Sequence, residues 1–138
     1  DIKSYIENTK TIAKNSGYVQ TILGRRRYIP EINSGDFQAR QAAERMAVNM
    51  PIQGSAADIL KIATIGIYDR LSALRMRSKM VLHVHDELIF EARNDEIEVL
   101  VQEVTRLMSS SLPLTVPLKV DFKVGCSWQD MEPVNLPL

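Results

Sequence analysis

The sequence predicts an α+β fold, an antiparallel sheet with helices on one face. Three observations predict it. Several segments repeat apolar residues at helical spacing, others alternate apolar and polar residues strictly, and hairpin-type turns join the alternating runs. No internal repeat, linker or low-complexity stretch interrupts them.

In chain order, Ser4 and Glu7 form a capping box that opens a helix ending before Gly17. "YVQTIL" and "GRRRYIP" then read as two strands around a turn at Gly24, with Pro30 stopping the second. A second helix runs from about Asp36 to Asn49, because Pro51 disfavours helical backbone at Met50. Ser55 and Asp58 give another capping pattern, opening a long helix through "AADILKIATIGIYDRL".

"MVLHVHDELIFEA" (80–92) follows, a strand-forming run interrupted by His85, Asp86 and Glu87. Asn94 caps the next helix, whose first turn holds Asp95, Glu96 and Glu98 near its positive end. Ile97, Leu100, Val101, Val104, Leu107 and Met108 give that helix one apolar stripe. The last element is a strand. Leu118, Val120, Phe122 and Val124 face inward, and Lys119, Asp121 and Lys123 face water.

A length of 138 residues with 45% apolar and 25% charged content fits one soluble globular domain with a sizeable core. The chain has no bilayer-length apolar run and no secretory signal pattern, which argues against a membrane protein. Its one cysteine, Cys126, cannot form an internal disulfide, so a reducing cytoplasm is expected. Asp1 stands where a Met would begin a complete chain, so a piece of something longer is expected. The net charge of zero hides an asymmetry. Residues 1–80 carry 13 Lys and Arg against 7 Asp and Glu, and residues 81–138 carry 4 against 10. A basic half fits a polyanion and an acidic half fits cations; mutual attraction of the halves on folding is the plainer account.

Two acids inside an apolar ribbon are costly unless they sit at its tip. A turn at His85-Asp86 or at Asp86-Glu87 puts them there, and the pattern permits both registers. Three readings follow. The tip is a solvated turn; or His83 and His85, sharing a strand face, bind zinc with Asp86; or Asp86 is an oxygen ligand for magnesium in phosphoryl or nucleotidyl transfer.

Arg45, Asn49 and Gln53 recur every four residues, and on one continuous helix they stack along a face. Their donors suit base-edge acceptors and phosphates, and in the minor groove such donors check shape without reading sequence. A polar surface stripe is the alternative. Arg25, Arg26 and Arg27 after Gly24 fit a phosphate backbone or a solvated turn.

"GYVQTILGRRRYIPEI", "AAERMAVNMPIQGSAADILK", "VHDELIFEA" and "VPLKVDFKVGCSW", in this order, closely resemble the C-terminal end of the bacterial DNA polymerase I family, family A. The resemblance covers essentially the whole chain. It implies that residues 1–138 are the C-terminal part of a polymerase domain, an antiparallel palm-type sheet with flanking helices. It implies that Asp86 binds metal, that Glu87 is the acid beside it, and that His85 lies near the primer terminus. Arg45, Asn49 and Gln53 match positions that contact primer–template DNA. The implied activity adds deoxynucleotides to a primer 3′-hydroxyl with two magnesium ions, in replication or repair. Its implied partners are DNA, deoxynucleoside triphosphates and the rest of the polymerase chain.

Where the family usually has Gln, this chain has His83, which reads as a tolerated change. The larger departure is that the family's "DYSQIE"-like strand, with the second aspartate, and its triphosphate-holding fingers helix are absent. Asp36, Asp58, Asp69 and Asp121 are the remaining acids, with Asp58 read as a cap, Asp121 as a strand's solvent face and the others as helix surface. The isolated chain is therefore expected to be inactive. A non-catalytic nucleic-acid-binding module and a small metal-dependent hydrolase are the rival functions.

Overall fold

The computed structural model describes residues 1–134, which divide into two compact units, one from Asp1 to Asp58 and one from Ile59 onward. In the first, helix α1 (Ile2–Ser16) begins before the predicted Ser4–Glu7 box. Asp1 is its cap, and the Asp1 carboxylate accepts from the Lys3 N–H at 2.9 Å. A charged side chain at the helix's positive end served as the cap, leaving Ser4 inside the first turn. The helix stops as predicted at Gly17, whose φ of 75° is the left-handed conformation that lets its N–H reach the Ala13 carbonyl.

Strands β1 (Tyr18–Gln20) and β2 (Arg26–Tyr28) pair antiparallel around the predicted turn, where Gly24 has φ 81°. A 3-10 turn over Pro30–Asn33 leads on to α2 (Phe37–Ala73). Asp36 caps α2 through the Ala39 N–H at 2.7 Å. Ala13, Val19, Ile29, Ile32, Ala43 and Ala47 form this unit's core.

The expected break at Pro51 does not occur. One 37-residue helix runs through it. Proline removes one N–H and crowds the preceding turn, a cost of about 3 kcal/mol that tertiary packing can outweigh. Ala43 and Ala47 are buried before the proline, and Leu60, Ala63, Ile67 and Leu71 after it. The Tyr5 hydroxyl also donates to the Val48 carbonyl at 3.0 Å, beside the disrupted turn. Ser55 and Asp58 consequently lie inside a helix and are not caps. The Ser55 hydroxyl donates back to the Pro51 carbonyl.

The second unit contains the later turns of α2, strands β3 (Lys79–Val84) and β4 (Glu87–Glu91), and helix α3 (Ile97–Ser109). Two short strands, β5 (Lys123–Val124) and β6 (Glu132–Pro133), complete it. Helix α3 starts three residues beyond the predicted Asn94 cap, and no side chain caps it. Its apolar stripe holds: Leu100, Val101 and Val104 are buried. Leu100 and Val104 join a core that α2 supplies with Ala63, Ile67 and Leu71, with Leu88, Phe90 and Phe122 packed against it.

The α+β class stands, but a single antiparallel sheet does not form among the described residues. There are three separate two-stranded ribbons. The predicted strand over residues 118–124 shrinks to Lys123–Val124, paired with Glu132–Pro133. Its alternation survives in burial, with Leu118, Val120 and Phe122 half-buried and Lys119 and Asp121 exposed. Alternation is a property of the side chains, whereas a strand also needs a hydrogen-bonding neighbour.

Candidate functional site

The β3–β4 hairpin decides between the two registers the sequence allowed. Val84 pairs with Glu87, so His85 and Asp86 are the two turn residues. His85 takes φ 55°, a left-handed conformation unusual outside glycine. A bulge between Met80 and Leu82 changes the alternation of β3. Met80 lies opposite Phe90 and His83 opposite Leu88, so Met80 and His83 share the face that Leu88 and Phe90 turn to the core.

His85 is therefore in the turn and does not share a strand face with His83. The His83 Nε2 is 2.8 Å from the His85 carbonyl oxygen, a contact in which the ring nitrogen must donate. A nitrogen that carries this proton has no lone pair for zinc. Among the described residues no three His, Cys, Asp or Glu side chains converge as a metal cage requires. The zinc-hydrolase arrangement is not assembled.

Asp86 and Glu87 are both exposed, and neither side chain makes a hydrogen bond or ion pair among the described residues. They stand at the lip of a groove of about 1610 Å³ whose walls include Phe90, Val104, Met108 and Phe122. The backbone aims them differently. Asp86 is in the turn, while Glu87 begins β4 on the face opposite Leu88.

The hairpin is held at its base. The Glu96 carboxylate accepts from the N–H groups of Arg77 (3.0 Å) and Ser78 (2.7 Å) and from the Ser78 hydroxyl. The Ser78 oxygen in turn accepts from the Arg93 N–H at 3.1 Å, so the residues entering and leaving the ribbon share one buried serine. These donors, the Arg77 N–H foremost, hold the Glu96 pKa below the usual glutamate value. Sequence reasoning missed this, because it assigned Glu96 to the helix's first turn. The clue is a serine immediately before the strand and a glutamate just after it.

Asp86 fits one place in a magnesium site: it is a hard oxygen donor, accessible, and uncommitted to any internal partner. Among the described residues no group of three His, Cys, Asp or Glu side chains that could hold a metal includes it. Asp36 caps α2, Asp58 is held by Arg25, Asp121 pairs with Lys119 at 2.7 Å, and Asp69 is exposed on α2.

In the first unit, the continuity of α2 places Arg45, Asn49 and Gln53 on successive turns, all exposed. Arg45 and Asn49 also border a hollow of about 450 Å³ with Ile6, Lys10 and Gln41. Beside them Glu44 is taken by Lys14 (2.8 Å) and Lys10 (3.4 Å). The Lys14 hydrogen bond is the main cause of its lowered pKa.

The three consecutive arginines are not equivalent. Arg25 donates through Nε to Asp58 Oδ1 at 2.8 Å and through Nη2 to the Gly54 carbonyl at 3.0 Å. Arg26 lies 4.6 Å from the centre of the Tyr18 ring, a cation–π contact. The Arg27 side chain makes no hydrogen bond, ion pair or ring contact among the described residues. Sequence reasoning treated them as one cluster. The glycine inside an otherwise helical "PIQGSAAD" was the available sign of a close approach at Gly54.

Comparison with known proteins places the chain in a family. The chain is 51% identical to DNA polymerase I of Bacillus subtilis over 129 residues, covering 94% of this chain and 15% of that protein. It is 46% identical to DNA polymerase I of Mycobacterium leprae over 127 residues, covering 92% of this chain and 14% of that protein. The chain thus spans about one-seventh of the length of these relatives. A solved structure, the POL domain of Pol1 from M. smegmatis in complex with DNA primer-template and dNTP, superposes with a TM-score of 0.82 at 46% identity. That match covers 85% of this chain and 21% of the other. The family pattern described as DNA polymerase family A matches residues 1–130, and the chain belongs to that family.

Proposed function

We propose that this chain is the C-terminal part of the polymerase domain of a DNA-directed DNA polymerase, working in replication or repair in the cytoplasm. The observation that carries the reading is Asp86. It is an exposed carboxylate at the tip of a rigid ribbon with no internal partner, in a chain of family A. As a relative solved with primer-template and dNTP suggests the ligands, we assign primer–template DNA and deoxynucleoside triphosphates as the partners.

In this reading Asp86 supplies one carboxylate to a two-magnesium site, and Glu87 supports it from the adjoining strand. Magnesium, when bound, neutralises charge on the reacting phosphates and orients them for in-line displacement. Held at the tip of the β3–β4 ribbon, Asp86 needs little reorganisation to receive it. His85, in the same turn, borders the primer terminus. Arg45, Asn49 and Gln53 hydrogen-bond the duplex, and Arg26 and Arg27 add backbone contacts whose strength falls with salt. Arg25, which precedes them, is committed to Asp58 and the Gly54 carbonyl.

The test uses the full-length polymerase that contains these residues. Asp86→Asn should lower the single-turnover rate of nucleotide incorporation at saturating magnesium by roughly a thousandfold. Primer–template affinity should be kept or tightened, since a negative charge near phosphates is removed. Near-normal incorporation would overturn the assignment. The isolated chain should extend no primer, because no three His, Cys, Asp or Glu side chains gather as a metal site among its described residues.

A further inference from the structure

We propose that Arg25 is a positioning residue: by bridging Asp58 and Gly54 it locks the β1–β2 hairpin onto α2 in the conformation that binds primer–template. This rests on the polymerase reading above. The hairpin tip is tied to one turn of α2, the turn that follows Gln53, by three kinds of contact.

The first is the arginine itself, which reaches the Asp58 carboxylate at 2.8 Å and the Gly54 carbonyl at 3.0 Å. The second is the Ile22 N–H, which donates to the Ser55 hydroxyl at 2.9 Å. The third is steric. A Cβ on Gly54 would lie 2.7 Å from Thr21 Cγ2, so the tip seats where only glycine leaves room. The tip is also braced internally: the buried Thr21 hydroxyl accepts from the Arg25 N–H at 3.1 Å.

Burial separates the roles of the two charges. The Asp58 side chain is 8% exposed and that of Arg25 is 47% exposed. A carboxylate so enclosed needs its cation, and the guanidinium that meets it is spent on two fixed acceptors. Immediately after it come Arg26 and Arg27, whose charges are uncommitted to any acid among the described residues. Arg25 fixes the backbone that carries them, beside the helical turn that carries Gln53. Such pre-ordering raises affinity by sparing the duplex the cost of immobilising the hairpin.

The proposal separates from direct phosphate contact by the sign of one variant. Primer–template Kd is measured for Arg25→Gln, Arg25→Lys, Asp58→Asn and the double variant Arg25→Gln/Asp58→Asn in the full-length polymerase. Active-site titration confines the measurement to folded enzyme, at several salt concentrations and well below the Tm. Each single variant should weaken binding by about tenfold, as when a supporting partner is removed from behind a contact residue. The double variant should be no worse than either single one, because the two side chains act as one unit. The KM for deoxynucleotide should stay within about twofold, which a general structural defect would not spare.

If Asp58→Asn binds as well as or better than the parent while Arg25→Gln weakens binding and lowers the salt slope by about one, Arg25 contacts a phosphate and the proposal is wrong. Parent-like Kd in Arg25→Lys overturns it as well, since an ammonium cannot span both acceptors. So does a lowered Tm with unchanged Kd in the folded fraction. Failure of the polymerase reading appears elsewhere, as retained incorporation in Asp86→Asn.

Discussion

The two longer hairpins are built to opposite plans. The β1–β2 tip is clamped: Arg25, Ile22 and Thr21 all meet α2 between Gly54 and Asp58. The β3–β4 tip is open. Its acids form no ion pair among the described residues, its own contact is between His83 and the His85 carbonyl, and its anchorage lies at the far end, where Glu96 gathers Arg77 and Ser78. The contrast follows from what each tip presents. Under the proposed function, cations that meet a long polyanion gain from a fixed backbone, whereas a carboxylate that is to bind metal must keep its lone pairs unspent until the ion arrives.

The sharpest test of the open tip is the acid beside Asp86. Glu87→Gln in the full-length polymerase should slow incorporation by roughly ten- to hundredfold, less than Asp86→Asn, because its backbone directs it to the β4 face. Equal losses in the two variants, read by single-turnover rates, would mean that both carboxylates hold metal.

The clamped tip can be broken from the helix side. Glycine to alanine inside a helix ordinarily stabilises by about 1 kcal/mol. Here the new methyl would meet Thr21 Cγ2 at 2.7 Å and Met50 Cε at 3.3 Å. Gly54→Ala should therefore destabilise, by about 1–2 kcal/mol in a denaturant titration. Adding Thr21→Ser, which removes the obstructing methyl, should recover most of that loss.

The smallest effect concerns the anchored base and its neighbour on α3. Glu96 is held below its usual pKa by the Arg77 N–H and then by Ser78. Glu103 is drawn down to about 2, chiefly by Arg70 and then by Arg106. A depressed carboxylate pKa contributes stability above its unfolded value, which is lost as pH falls through the folded value. For Glu103 the window runs from 4.5 down to about 2. Thermal melts of the parent should lose Tm across that window, and Glu103→Gln should flatten the profile there.

Legibility in the sequence followed the range of the interaction. Helix α1, the turn at Gly24, the apolar stripe of α3 and the acids at a ribbon tip are local patterns, and the structure has them all. What failed was set by distant partners. Pro51 reads as a break because its lost hydrogen bond is local, while the packing that carries α2 past it is not. Ser55 and Asp58 read as caps because their partners, the Ile22 N–H and Arg25, lie 33 residues away. The bulge at Met80 and Leu82 is invisible in composition, yet it decides which face His83 occupies.

Pro51 also has a consequence for the timing of backbone opening. Its nitrogen carries no proton, so the amide ladder of a 37-residue helix has one absent rung. The turns before it are fastened by Ala43 and Ala47, and those after it by Ala63, Ile67 and Leu71. Solvent exchange should register these as separate protected blocks, each with its own opening free energy. A cavity cut at Ile67 would then shorten amide lifetimes on the C-terminal side of the gap and leave those around Ala43 as they were.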